Sequence, residues 1–296
     1  MRTCNLFVTF LLLNFLLIAV IADDSEVEDE SPFTYDDHTN KGPKNWVNLN
    51  PKWKACGNGK LQSPIDLTDD RVVLLPTLGH LRRTYKPAPA VIRNRGHDIS
   101  VGWTGDAGGV VINGTEYRLR QCHWHTPSEH TVNGKSFKME IHLVHNDSRE
   151  HIAVVGIMYK LGRPDPFLAK ASLSTLYFLQ KIRSLDHEEI DVGYFLQKIR
   201  SLDHEEIDVG YVDPWDIKFG SRKYLRYMGS LTIPPCTEGV LWTILKKVRT
   251  VSREQIRALR NAVHDGFEDN ARPTQASDER DVYMYRPGVG KTSTTQ

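Results

Sequence analysis

Gln121-Cys122-His123-Trp124-His125, followed across an Asn133-Gly134 pair by Glu140-Ile141-His142, decides the reading of this chain. Residues two apart on a strand project to the same side, so His123 and His125 stand together, about 7 Å apart along the strand. Asn-Gly between two apolar, β-prone runs is a strong hairpin signal. The returning run, Phe137 to His145, therefore brings His142 back beside the pair. Three imidazoles then converge on one point. Three nitrogen ligands that leave a fourth tetrahedral corner to water are the donor set of a catalytic zinc site. A lone sheet histidine reads as a satisfied polar residue; a His-x-His pair with a third His on the same face of the adjacent strand reads as a metal centre. Gln121 and Glu140 each lie two before a ligand, on the ligand face, where they can accept the other ring N–H. His130, His145 and His151 are not expected as ligands, the first two more naturally making internal hydrogen bonds.

Outward from this hairpin, short β-prone runs recur with turn signals between them: Ala90–Asn94, Ile99–Trp103, Gly109–Asn113, Glu116–His125, Phe137–His145 and Ile152–Leu161. Long helical patterns are rare. Asp165 to Ser184 carries apolar residues every third or fourth position, and Ser252 to Val263 begins with Ser252 as N-cap and Gln255 at the capping-box position, its apolar side being Ile256, Leu259 and Val263. Tyr177 to Gly193 is repeated identically as Tyr194 to Gly210. Two copies do not make a solenoid. The pair is a recent duplication looped out at the surface or a sequence error, and only one copy can follow the helix-to-strand path. Each copy carries an Asp-His-Glu-Glu run, at His187 and His204, which reads as a solvated helix end or loop rather than a metal site.

The 296 residues are 40% hydrophobic and 25% charged, an ordinary globular composition. Arg2 precedes an apolar run from Leu6 to Ala22, and an acidic stretch, Asp23 to Glu30, follows. This is the pattern of a secretory signal peptide cleaved after Ala22, in preference to a membrane anchor, since the run is at the short edge of what spans a bilayer. Losing Arg2 takes the net charge from +1 to 0. That balance excludes a nucleic-acid or anionic-membrane partner. Residues 23–32 read as a disordered lead-in and 287–296 as a disordered tail. The mature protein is expected to be soluble, with no membrane span. Cys56, Cys122 and Cys236 remain after cleavage, implying one bridge and one unpaired thiol in an oxidising compartment. Asn113-Gly114-Thr115 and Asn146-Asp147-Ser148 are glycosylation sequons. Gly290-Lys291-Thr292 imitates the end of a phosphate loop, but Tyr285 stands where glycine is required.

Gln121 to His125, Ser128-Glu129-His130-Thr131 and Glu140 to His145 resemble the zinc-binding segments of the α-class carbonic anhydrases. Gln62 to Asp66, Asn94 to His97, Val154 to Ile157, Gly229 to Pro235 and Asn270 to Pro273 match further family blocks in order. The resemblance covers residues 33–286 and looks closest to plant members, a group that also includes storage and nectar proteins. It implies a mainly β single domain around a large, mostly antiparallel twisted sheet with a few peripheral helices and a conical cleft. It implies one Zn2+ per chain on His123, His125 and His142, with Gln121, Glu140 and Asn270 supporting the ligands. The activity implied is reversible hydration of carbon dioxide to bicarbonate by a zinc-bound hydroxide; a storage or binding protein with weak or no activity is the alternative. Thr232 and Glu129 would orient the hydroxide, and Val144, Val154, Leu231 and Trp242 would form the apolar substrate wall. His97, by itself a surface-loop histidine, would shuttle protons, and Tyr35 would order water. Cys56 and Cys236 match the family's disulfide, leaving Cys122 in the sheet opposite the ligands. Ile233 departs from a common threonine near the bicarbonate site, and the duplication has no family counterpart. The route implied is secretory, ending in the apoplast or, in plants, a plastid.

Overall fold

The computed structural model describes residues 33–169, 206–277 and 280–288. Apolar side chains at alternating positions turn most of this length into strand. In chain order the strands are β1 (Val72–Leu74), β2 (Arg82–Arg83), β3 (Ala88–Asn94), β4 (Ile99–Trp103), β5 (Gly109–Ile112), β6 (Thr115–His125), β7 (Met139–Asn146), β8 (Ile152–Leu161), β9 (Glu206–Val212), β10 (Tyr224–Ser230), β11 (Glu238–Leu245), β12 (Arg249–Val251) and β13 (Val282–Tyr285). All belong to one sheet, whose main path runs β1-β13-β10-β11-β8-β7-β6-β4-β3-β9. Most neighbours are antiparallel; β1 with β13 and β8 with β11 and β12 are parallel. The fold is thus the mainly β, largely antiparallel single sheet indicated by the sequence.

The helices are peripheral and short: α1 (Trp46–Leu49), α2 (Ala55–Asn58) and α3 (Arg253–Ala262). At α3 the Ser252 side chain accepts from Gln255 N–H, and the Gln255 side chain accepts from Ser252 N–H, closing the capping box read from the sequence. The same Gln255 side chain reaches Asp165 N–H and carbonyl, 2.7 and 2.9 Å. Asp165 in turn caps the helical turn at 166–169 through Phe167 and Leu168 N–H. The remainder of the helix expected to Ser184 lies outside the described residues, as do both residues 1–32 and most of the tandem copies. Of the duplicated segment, Glu206–Gly210 of the second copy are described, and they begin β9, pairing antiparallel with β3.

The hairpin that carries the argument is longer-armed than its turn signal suggests. β6 ends at His125 and β7 begins at Met139, two residues later than the Phe137 expected. Asn133 and Gly134, both at positive φ, form only the tip, where Val132 pairs with Lys135. Gly109–Asn113 likewise stops one residue early, because Asn113 sits at φ 51° in a turn.

Pleating divides the core. Cys122, Trp124, Ile141 and Leu143 join the larger apolar cluster on one side of β6 and β7, while Val144, Val154, Leu231 and Trp242 join a second cluster. Cys122 is fully buried there, and burial raises its thiol pKa, so it is an inert thiol rather than a reactive one.

Candidate metal centre

Register places His123 directly opposite His142, with His125 two residues on. The ring centroids are 5.1 Å (His123–His125), 5.3 Å (His123–His142) and 4.6 Å (His125–His142) apart, and one nitrogen from each lies within 4.8 Å of the others. None of the three residues is more than 2% exposed.

Each ring is oriented by a fixed partner. His123 Nδ1 lies 2.9 Å from Gln121 Oε1, and His125 Nδ1 lies 2.7 Å from the Asn270 carbonyl. Both nitrogens therefore donate, leaving Nε2 as the lone-pair side. At His142 the order is reversed: Nε2 is 3.1 Å from Glu140 Oε1, and Nδ1 faces inward. His125 Nε2 is buried without a hydrogen-bond partner among the described residues. A buried imidazole nitrogen with its opposite N–H satisfied suits a cation and nothing else nearby. Burial, reinforced by the neighbouring histidines, holds His123 well below the ordinary histidine pKa, and burial likewise lowers His142. Both are neutral at pH 7, the form that ligates. The donor set, three clustered imidazole nitrogens, fits zinc.

Glu140 anchors the surrounding network. Burial opposes its charge, but His130 and His142 beside it hold its pKa well below the usual carboxylate range. Its Oε1 also receives His130 Nδ1 at 2.8 Å, and its Oε2 receives His130 N–H at 2.9 Å. His130 Nε2 reaches the Tyr227 hydroxyl at 2.7 Å, which lies 2.9 Å from the Ser63 hydroxyl. Gly156, opposite His142, makes room for this carboxylate: a Cβ there would come 2.9 Å from Glu140 Oε1 and 2.6 Å from Ile244 Cδ1. His145 makes internal bonds to the Tyr85 hydroxyl and the Ala153 carbonyl.

Thr232 and Glu129 are both buried, but no hydrogen bond joins them. Glu129 Oε1 accepts from Arg272 N–H at 3.0 Å, and Oε2 lies 3.6 Å from His125 Nε2, without a hydrogen-bond partner among the described residues. Val144, Val154, Leu231 and Trp242 share one cluster, and the Trp242 ring packs 4.8 Å from His142.

His97 is not a surface residue. Its ring is fully buried, 5.6 Å from the Phe33 ring and 3.6 Å from Asp98 Oδ2. The cause is the N-terminal segment: Phe33 and Tyr35 pack with Trp46 and Phe267 over this corner. Asn270 ties the corner to the metal centre, donating to the His97 and Trp124 carbonyls while its own carbonyl receives His125. Cys56 and Cys236 form the disulfide. Ile233 is buried in the larger cluster. Of the sequons, Asn113 is exposed, whereas the Asn146 side chain is half-buried and donates to Glu150.

Two parts of the site were not legible in sequence. Arg272 threads its guanidinium to Gln62 Oε1 and the Ser63 and Cys56 carbonyls, partners more than 200 residues away. Arg95 and Asp98 form a buried ion pair at 2.5 Å; burial works against the charge, but Arg95 holds the Asp98 carboxyl well below its usual range. Only the Arg-Gly-His-Asp spacing hints at it.

A single broad sheet presents three convergent, buried imidazoles from two paired strands, a group that could hold a metal ion. The comparison with known sequences narrows this: residues 41–286 match the model of the eukaryotic-type carbonic anhydrases, and the chain belongs to that family. Alpha carbonic anhydrase 4 of Arabidopsis thaliana is 51% identical over 265 residues, covering 90% of each chain. Dioscorin DB3L of Dioscorea polystachya is 41% identical over 286 residues, covering 96% of each. A crystal structure of dioscorin complexed with ascorbate superposes with a TM-score of 0.77 at 41% identity, covering 86% of this chain and 98% of that one.

Proposed function

We propose that this protein catalyses the reversible hydration of carbon dioxide to bicarbonate and a proton, with one zinc ion per chain on His123, His125 and His142. The observation that carries this reading is the buried imidazole triad, with His123 and His125 Nδ1 bonded to Gln121 and the Asn270 carbonyl and His142 Nε2 3.1 Å from Glu140 Oε1. Carbonic anhydrase is itself the standard case of a zinc site whose bound metal acidifies water to a pKa of about 7, the chemistry the ion would supply here.

The chain's own groups do the rest. His123 and His142 stay neutral, and the three rings keep their orientation. Val144, Val154, Leu231 and Trp242 exclude water and receive an apolar substrate. The Thr232 hydroxyl orients the attacking oxygen and Glu129 accepts the threonine's proton in turn, a contact that needs Thr232 to move onto Glu129 Oε2, which has no hydrogen-bond partner among the described residues. His97 passes the product proton outward; its burial makes this depend on rotation of the ring or of the Phe33–Tyr35 cover. Removal of residues 1–22, export to the apoplast and glycosylation at Asn113 complete the proposal. The disulfide supports an oxidising compartment.

A second reading, a storage or binding protein on the same scaffold, is favoured by the likeness to a dioscorin that carries ascorbate. Zinc analysis and stopped-flow hydration of wild type and His142→Ala separate the two. One zinc and hydration lost in the variant support the enzyme; metal-free native protein without hydration supports the second reading.

A further inference from the structure

A cluster of positive charge apart from the metal centre has no role in carbon dioxide hydration. A cavity of about 280 Å³ is lined by His80, Arg83, Phe219, Ser221, Arg222 and Tyr224 among others, and shares no lining residue with the imidazole triad. Its lining holds two guanidinium groups and a histidine and no carboxylate, in a chain whose formal charge is only +1.

Arg83 is the telling member. Its guanidinium carbon lies 4.0 Å from the Trp215 ring centroid and 3.9 Å from that of Phe219. Two aromatic faces thus fix its plane and strip water from it. Its Nη1 is buried and has no hydrogen-bond partner, and no carboxylate pairs with it, among the described residues. Burial accordingly pulls its pKa below the ordinary arginine value. A desolvated N–H without an acceptor, on a residue that lines a cavity, is an expensive arrangement unless a small shift lets a bound group reach it.

The surroundings favour an anion. Arg222 is exposed at the rim. Ser221 Oγ accepts from Lys223 N–H at 2.9 Å, which leaves its own hydroxyl hydrogen to donate. The Tyr224 hydroxyl is committed to the Gly79 carbonyl at 2.9 Å, so the tyrosine is wall rather than ligand. Behind that wall the Arg226 guanidinium sits 4.8 Å from the Tyr224 ring, adding a third positive charge. An in-plane guanidinium edge plus a second guanidinium and a hydroxyl is the donor pattern that holds tetrahedral oxyanions.

We propose that this cavity is a binding site for a phosphate-type dianion, gripped by Arg83 and Arg222. Inorganic phosphate and the phosphate group of a small monoester share this chemistry, and the cavity has room for either.

Isothermal titration of the full chain with inorganic phosphate and with phenyl phosphate, at constant ionic strength, tests it. Saturable one-to-one binding is expected. It should weaken about tenfold or more in Arg83→Met, which loses a charge-assisted pair, and about threefold in Arg222→Ala, whose exposed position leaves folding intact. It should be unchanged in His142→Ala. Tighter binding of phenyl phosphate supports the site with a monoester as ligand; tighter inorganic phosphate supports it with the free ion. Absence of saturable binding in the wild type overturns the proposal. So does binding lost in His142→Ala but kept in both arginine variants, which would put the anion on the metal.

Discussion

Replacing both disulfide cysteines, Cys56→Ala with Cys236→Ala, should destabilise the protein through its unfolded chain more than through its folded one. The folded state keeps other ties at this point. Arg272 donates to the Cys56 carbonyl at 2.8 Å, Gln62 Nε2 to the Cys236 carbonyl at 3.1 Å, and Cys236 N–H to the Ile233 carbonyl at 2.9 Å. The unfolded chain has no such substitute. The cross-link joins residues 180 apart, and the loop-closure entropy of a loop that long corresponds to about 5 kcal/mol at 25 °C. Typical domains are stable by about 5–15 kcal/mol in total, so the variant should lose about a third of its margin or more. Urea unfolding followed by fluorescence of the six tryptophans measures this. The midpoint should fall and the m-value should rise, because the uncross-linked chain exposes more surface when unfolded. Hydration activity below the transition should fall too, since Cys236 closes the loop that presents Thr232. A loss under about 1 kcal/mol with an unchanged m-value would refute the entropic reasoning, since it is far below what a loop this long implies.

Gln121→Ala should weaken zinc binding about 10- to 100-fold while leaving the fold intact, as read by chelator competition; unaltered affinity would mean the amide does not orient His123. His145 is buried with its pKa lowered to about 4 by desolvation. The unfolded chain binds the proton near pH 6.5 and the folded one does not, so stability falls as pH drops from 6.5 to 4, by at most about 3 kcal/mol at 1.36 kcal/mol per unit. His145→Gln should flatten that part of the pH–stability curve; an identical slope would assign it to other groups. Ser252→Ala should cost about 1 kcal/mol by unmaking the capping box of α3, and a thermal melt indistinguishable from wild type would contradict it.

Local sequence carried the metal centre because its information is local. A period of two puts His123 and His125 on one face, and Asn133-Gly134 returns His142 to them, though as the tip of a longer excursion than expected. The capping box at Ser252 and Gln255 was legible for the same reason: both partners lie within one helical turn. Gln121 and Glu140 were legible as near supports, but the distant ones were not. Arg272 reaches Gln62 and Cys56, and Tyr227 reaches His130 and Ser63, across separations that no window of sequence spans. His97 illustrates the limit best. An Asn-Arg-Gly-His run reads as an exposed loop, and only packing of the distant Phe33, with Asp98 and Arg95 beneath, buries the ring. The family resemblance gave it a role but not its burial.

X-ray absorption at the zinc edge of the purified protein interrogates the metal centre most directly. Three imidazole nitrogens at about 2.0–2.1 Å and one further oxygen scatterer are expected, the pattern of a three-histidine site with a wet corner. A spectrum with fewer than three imidazoles, or with sulfur from Cys122 among the neighbours, would contradict it.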